Sequence, residues 1–370
     1  MSPSPTVPTL TDGVVTLRAI RETDAPRVHE QCVDPDSVRW TQVPSPYAPE
    51  DAIVFTRDVA PQMWVSGEEW IFAIEVDGLF GGSLALRDRG QGRAEIGYGT
   101  HPAIRGTGAA ERALRLLLEW GFADQGLTVV TWKAAAGNWA SRHLAWRVGF
   151  SFDGVLRGTH PHRGELVDGW IGTLQSHETR EPRQRWLRAP VLETDGVRLR
   201  PLREPDVVRV VEACSDERTQ HWLGTMPTPY TAENAYAWFE ANSEGQAAGT
   251  KVTWAVVDPA GDDLLAAVNL FDITDRDCEI GYWAHPRARG RGVVSAAARA
   301  AVGWAFEELG VERVRGVAAV ENGASRAVLE RVGMTSTGGE RLGTVLRTGP
   351  ADVAIYDVLR TEWESARPPR

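Results

Sequence analysis

The sequence predicts a tandem α/β (α+β) architecture of two successive domains, each a mixed central sheet flanked by helices. Three observations carry that expectation. The chain has 370 residues, long for one core and comfortable for two domains of about 100–200 residues each. It repeats itself once along its length. Within each repeat, short strand-like apolar runs alternate with stretches of helical period, the order expected of a sheet with helices on its faces.

The repeat is legible in two blocks. VTLRAIRETDAPRV from Val15 returns as VRLRPLREPDVVRV from Val197, an offset of 197 − 15 = 182. In that register Asp24 matches Asp206, Cys32 matches Cys214 and Trp40 matches Trp222. Further on, EIGY from Glu95 returns from Glu279, an offset of 279 − 95 = 184. The same offset relates His101 to His285, Arg105 to Arg289, Trp120 to Trp304, Asn138 to Asn322, Ser141 to Ser325 and Gly149 to Gly333. An insertion of two residues between the blocks accounts for the change. Units of about 170 residues can each bury a core, which makes this a duplicated domain and not a solenoid. The charged stretch 177–196, with Pro182 and Pro190, reads as the connection. The expected partition is 1–178, a linker over 179–193, and 194–370, with the halves able to pack as a pseudo-dimer.

In the first half the opening VVTLRAI is strand-like, and a helix follows Asp24, with Thr23-Asp24 offering a cap. WIFAIEV and GGSLALRD read as strands, then AEIGYGTH. From about Gly108 the chain turns helical: Ala110, Leu114, Leu117 and Gly121 recur three or four apart and give a face to bury. TVVTWKAA is a further strand, WASRHLAWRVG a helix and VDGWIGTLQ a closing strand.

The turn that opens the long helix is the most informative stretch. It reads Arg105-Gly-Thr-Gly-Ala-Ala110 in the first half and Arg289-Gly-Arg-Gly-Val-Val294 in the second. Glycines let the backbone approach a ligand with its N–H groups turned inward, and a helix N-terminus adds unpaired donors and partial positive charge, so the pair forms a diphosphate cradle. One Gly-x-Gly before a helix is a weak signal; two at matched places, each opened by an arginine, are much stronger. A dinucleotide fold is disfavoured, because the turn lies mid-domain and lacks the third glycine of that spacing.

Arg-x-x-Gly-x-Gly/Ala, then Asn-x-x-Ser about 30 residues on, then Gly-Phe or Gly-Met, resembles the GNAT acetyltransferase superfamily. The Glu-Ile-Gly-Tyr strand and the Asn-x-x-Ser helix resemble its RimJ/RimL branch of ribosomal-protein N-terminal acetyltransferases. The resemblance covers nearly the whole chain, once per half, and implies acetyl-CoA or another acyl-CoA as cofactor. It implies that Arg105, Gly106, Thr107, Gly108, Ala109 and Ala110 hold the diphosphate in the first half, and Arg289, Gly290, Arg291, Gly292, Val293 and Val294 in the second. The backbone of Tyr98, Gly99 and Thr100, and of Tyr282, Trp283 and Ala284, would pair with the pantetheine arm, which Asn138 and Asn322 would also contact. The second half departs at Val294, where the pattern has Gly or Ala and a β-branched side chain would crowd the phosphates.

Acyl transfer from a thioester to an amine requires that the ammonium lose a proton, that a developing oxyanion be stabilised and that the departing thiolate gain a proton. Glu95 and Glu279, on the strand just before the turn, are the candidate bases; the rival reading is a solvated carboxylate that only attracts a cationic acceptor. By the resemblance, the acid of many members is a tyrosine seven residues after the Asn, where this chain has Ala145 and Leu329. Ser141 and Ser325 match the serine of the RimL-like branch instead, against a rival reading as helix-cap serines. Acceptor choice is expected from Trp40 to Tyr47, Trp222 to Tyr230 and the His160–Arg163 loop. Trp40 and Trp222 themselves read as core before contact. His101 and His285, each before a proline, read as loop packing.

Other classes are disfavoured. A net charge of −10 argues against nucleic acid as partner. No run of 18 apolar residues suggests a membrane span. The N-terminus lacks the pattern of a secretory leader. Cys32, Cys214 and Cys278 show no disulfide or metal spacing, which suits a reducing cytoplasm. His160 and His162 with Glu165 match no metal-site spacing, so no metal is expected. The reading is an N-acetyltransferase acting on a small-molecule amine or a protein N-terminus. The alternative is an acyl-CoA-binding or scaffolding protein with one or both halves degenerate.

Overall fold

The computed structural model describes residues 6–194 and 196–366, and the chain divides into two compact units that meet at Arg183 and Gln184. The stretch after that division belongs to the second unit. Leu187 and Ala189 are buried in its core, and the Trp254 indole N–H donates to the Pro190 carbonyl at 2.9 Å.

The first unit is an eight-stranded sheet in the order β1-β2-β3-β4-β5-β6-β8-β7. Its strands are β1 (Leu10–Thr11), β2 (Val15–Arg18), β3 (Glu69–Val76), β4 (Leu79–Asp88), β5 (Arg93–Thr100), β6 (Val129–Ala135), β7 (Gly154–His162) and β8 (Glu165–Gln175). The helices are α1 (Ala25–Val33), α2 (Pro35–Trp40), α3 (Pro49–Val54), α4 (Ala60–Ser66), α5 (Ala109–Ala123) and α6 (Trp139–Arg147). Neighbouring strands run antiparallel except β5 and β6, which run parallel. The long helix and the strands fall where the apolar periodicity places them. Sequence reasoning missed α3 and α4, and the exposed edge strand β7, which has no alternating pattern to mark it.

The second unit repeats this topology. Strands β9 (Leu192–Thr194), β10 (Val197–Arg200), β11 (Val252–Val257), β12 (Leu264–Phe271), β13 (Asp277–Ala284), β14 (Arg313–Ala319), β15 (Thr335–Leu346) and β16 (Gly349–Leu359) form the corresponding sheet, with β13 and β14 as its parallel pair. Its helices are α7 (Val207–Ser215), α8 (Glu217–Trp222), α9 (Ala232–Ala247), α10 (Val293–Trp304), α11 (Gly323–Val332) and α12 (Arg360–Ser365). The change of offset has a place: strand pairing keeps Leu17 with Ile74 and Leu199 with Val256, then Ala73 with Ser83 and Ala255 with Ala267. The two extra residues therefore lie in the β11–β12 hairpin, opposite the tight Asp77-Gly78 turn.

Helices cover both faces of each sheet. In the first unit α5 packs Leu114, Leu117 and Leu118 against Phe72, Leu86 and Val130, all buried; each such side chain contributes about 1.5–3 kcal/mol. Gly121 permits the close approach, since a Cβ there would stand 2.7 Å from Leu86 Cδ1. Trp64, Phe72 and Trp120 lock the far end of that helix in edge-on ring contacts. On the opposite face Val28 of α1 and Ala52 of α3 meet Ala73 and Phe80. The expected Thr23-Asp24 cap is corrected: Asp24 makes no side-chain cap to α1. Its carboxylate accepts from the buried Arg18 guanidinium at 2.8 and 2.9 Å and from the Arg21 N–H. Asp206 and Arg200 repeat this arrangement.

Candidate functional site

The site in each unit begins where the parallel strands part. β5 and β6 stay in register from Arg93 with Val129 to Ile96 with Trp132, and the pairing then ends. β13 and β14 likewise pair only from Asp277 with Arg313 to Ile280 with Gly316. The next residues, Gly97–Thr100 and 281–284, remain hydrogen-bonded on the outer side to β4 and β12. Their inner backbone edge is left toward the opening, able to pair with an extended ligand arm.

A short 3₁₀ turn, Pro102–Ile104 or Pro286–Ala288, leads from the strand to the glycine turn. His101 and His285 are buried and cap these turns through the N–H of Ala103 and Arg287, while their Nε2 atoms meet Glu30 and Glu212. They shape the loop, in keeping with a packing role. Gly106 and Gly108 have φ of 76° and 83°, and Gly290 and Gly292 have 72° and 75°. This is the left-handed region that glycine enters without cost. A Cβ on any of the four would meet nothing within 4 Å, so the turn borders open space. Gly108 and Gly292 then start α5 and α10, whose first N–H groups and helix dipole attract an anion.

The arginines that open the turns point elsewhere. Arg105 donates to Asp34 at 2.6 Å, to Ser37 Oγ and to the Thr100 carbonyl; Arg289 pairs with Asp216 and Thr219 Oγ1. Asp34 and Asp216 also cap α2 and α8. Each arginine thus staples the neighbouring helix start to the turn, and its own offering to the cradle is backbone.

Asn138 and Asn322 are the caps of α6 and α11: each Oδ1 accepts the N–H three residues on, from Ser141 or Ser325, at 3.1 Å. The serines are therefore not the caps. Ser141 Oγ lies 2.9 Å from the Tyr98 hydroxyl and accepts from the Trp132 indole at 3.0 Å. Ser325 Oγ lies 3.1 Å from the Tyr282 hydroxyl. Sequence reasoning assigned these tyrosines a backbone role and missed their hydroxyls. The only available signal was that the Tyr and the Ser recur together at the same offset. Burial pushes the Tyr282 phenol up to about 12, against the opposing hydrogen bond with Ser325, so it keeps its proton at neutral pH.

The two candidate bases differ. Glu95 is ion-paired with Lys133 Nζ at 2.9 Å and with Arg89 at 3.1 Å. Burial alone would raise its carboxyl, but those two cations outweigh it and hold it below the ordinary value. At the matching places the second unit has Val317 and Ile273. Among the described residues Glu279 has no hydrogen-bond or ion-pair partner. Burial pushes its carboxyl up, with Arg315 pulling the other way and Asp272 adding to the rise.

In the second unit these groups border one cavity of about 620 Å³, within the range of small-molecule and cofactor sites. It brings together Glu279, Tyr282–Ala284, Arg289, Gly290, Gly292–Val294, Asn322 and Ser325; Arg291 is exposed beside it. Val294, expected to crowd the phosphates, is half-buried and packs against the core at the cavity edge. Trp222, expected in the core, instead forms cavity wall with Leu223, Phe271 and Leu346, and Trp40 is only half-buried. The residues fit an acyl-CoA: a glycine-lined helix start for the diphosphate, an unpaired strand edge for an amide-bearing arm, and a carboxylate and a hydroxyl pair on the same cavity wall.

Comparison with known proteins bears on the family of each half. The acetyltransferase (GNAT) domain family matches residues 15–151 and again 197–335. YdaF of Bacillus subtilis, provisionally named a ribosomal N-acetyltransferase, is 38% identical over 103 residues, which cover 28% of this chain and 56% of YdaF. The uncharacterised N-acetyltransferase p20 of Bacillus licheniformis is 27% identical over 172 residues, 44% of this chain and 94% of p20. Among solved structures, the ribosomal-protein-S5-alanine acetyltransferase from Vibrio fischeri is 17% identical with a TM-score of 0.43, covering 48% of this chain and 100% of that one. Among the described residues no helix is long and apolar enough to cross a membrane.

Proposed function

This chain belongs to the acetyltransferase (GNAT) family in both of its halves, and from that premise we propose that it moves the acyl group of acetyl-CoA, or another acyl-CoA, to a primary amine. One observation carries the reading: the second unit's cavity has a glycine-lined helix start, an open strand edge, an unpaired carboxylate and a tyrosine–serine hydroxyl pair on its walls. Bound there, an acyl-CoA supplies an activated thioester.

The residues divide the remaining work. Backbone N–H groups of Gly292, Val293 and Val294 hold the diphosphate, and the inner edge of Tyr282–Ala284 aligns the arm. Glu279, whose carboxyl burial pushes up, takes in its ionised form the proton of an incoming ammonium, directly or through a water. Ser325, hydrogen-bonded to a phenol that keeps its proton, presents a hydroxyl to the departing sulfur. Half-buried Trp222 and its apolar neighbours keep water from competing with the amine. YdaF's name specifies a ribosomal acceptor, so a protein N-terminus stands beside small-molecule amines as an acceptor class.

The test is release of free CoA thiol from acetyl-CoA across a panel of amines and N-terminal peptides. Amine-dependent release supports the reading. CoA binding with no release on any amine would make the chain a binding protein.

A further inference from the structure

The two halves share a fold and a motif, but their cradles carry different charges. At the third position of the helix that opens the site, the first unit has Glu111 and the second Ser295. Glu111 is bridged by Arg115 at 3.0 Å and by Arg147. Arg115 also donates to the Arg180 carbonyl at 2.7 Å, so the cluster is held from two sides. Burial opposes the charge, yet the two guanidiniums keep the carboxyl below its ordinary value. The first unit's helix start thus already has its anion, and Arg147 already has its partner. A third donor is spent as well: Thr107 Oγ1 accepts from the Ala109 N–H at 3.3 Å.

The second unit leaves each of these groups open. Arg291 stands in place of Thr107. Ser295 Oγ is buried without a hydrogen-bond partner, and Arg331, the counterpart of Arg147, makes no ion pair or hydrogen bond among the described residues. Both border the cavity. A buried hydroxyl without a partner and an unpaired guanidinium beside a helix start are complementary to a phosphate group.

We propose that the chain takes up a single acyl-CoA, in the second unit, with Ser295 and Arg331 as phosphate contacts, and that Glu111 with Arg147 closes the matching place in the first. This rests on the acyl-CoA reading above. The same division runs to the acceptor end, where Lys133 and Arg89 neutralise Glu95 while Glu279 stays unpaired. A phosphate entering the first cradle meets a carboxylate whose cations are already satisfied; in the second it meets Ser295 and Arg331.

Calorimetric titration of the full-length protein with CoA tests this. The expected stoichiometry is one. Arg331→Ala, a change at an exposed side chain, weakens binding about tenfold or more, and Ser295→Glu weakens it further. Arg147→Ala leaves affinity and stoichiometry as they were. Two equivalents of similar affinity, or loss of binding with Arg147→Ala and not with Arg331→Ala, would overturn the inference while leaving the transferase reading intact. No binding at all would sink that reading, and the inference with it.

Discussion

The Tyr282 hydroxyl stands 3.1 Å from Ser325 Oγ and 3.1 Å from the Ser325 carbonyl oxygen, tying the strand before the glycine turn to the helix that faces it. The first unit repeats the pair between Tyr98 and Ser141, with an added donor from Trp132. In the second unit Gly316 takes the place of Trp132, so Ser325 keeps more freedom to turn toward a ligand. Tyr282→Phe removes the phenol without opening a cavity. The expected result is a fall in kcat of about 10–100-fold, with the CoA dissociation constant within about threefold of wild type. Steady-state kinetics paired with calorimetry separates the two quantities.

Gly292 sits at a φ of 75°, and in the proposed reading its neighbours supply the N–H groups that hold the diphosphate. Gly292→Pro cannot adopt that angle and removes a donor. It is expected to abolish measurable CoA binding, whereas Gly292→Ala, strained by about 1–2 kcal/mol, weakens it partially. Titration of both variants, with thermal unfolding to confirm folding, checks the order.

Asp216 joins two elements: it caps α8 through the Thr219 N–H at 3.0 Å and receives the Arg289 guanidinium beside the glycine turn. Burial raises its carboxyl, but Arg289 and the Thr219 N–H together hold it below the ordinary value. A depressed folded-state value means the unfolded chain binds the extra proton first, so stability rises with pH through that window. Asp216→Asn should therefore cost about 1–2 kcal/mol at pH 7. The difference should shrink as pH falls below the ordinary carboxylate range toward the depressed value. Urea unfolding at neutral and acid pH measures it.

Much of this was readable in the sequence because the signals are local or repeated. The glycine turn needs six consecutive residues, and a second copy at a fixed offset turned a weak motif into a strong one. The strands and the long helix followed from apolar period. What the sequence hid depends on pairing between distant segments. Lys133 lies 38 residues from Glu95 and reaches it only because β5 and β6 run parallel, with Glu95 opposite Thr131. The same geometry sets Val317 near Glu279 and leaves that carboxylate unpaired. Trp222 looked like a core residue because tryptophan usually is one, yet it forms cavity wall. Nothing local to Arg105 or Arg289 announces the aspartates that hold their side chains, some 70 residues earlier.

Whether the unpaired Glu279 in the second unit's cavity removes the acceptor's proton is read most directly from the pH dependence of kcat/KM for amine acetylation. Activity is expected to rise with the ionisation of a group whose pKa is shifted above the ordinary carboxylate value. That limb should vanish in Glu279→Gln, leaving a slower rate governed by the amine's own ionisation. A limb that persists in Glu279→Gln, with turnover near wild type, would contradict it.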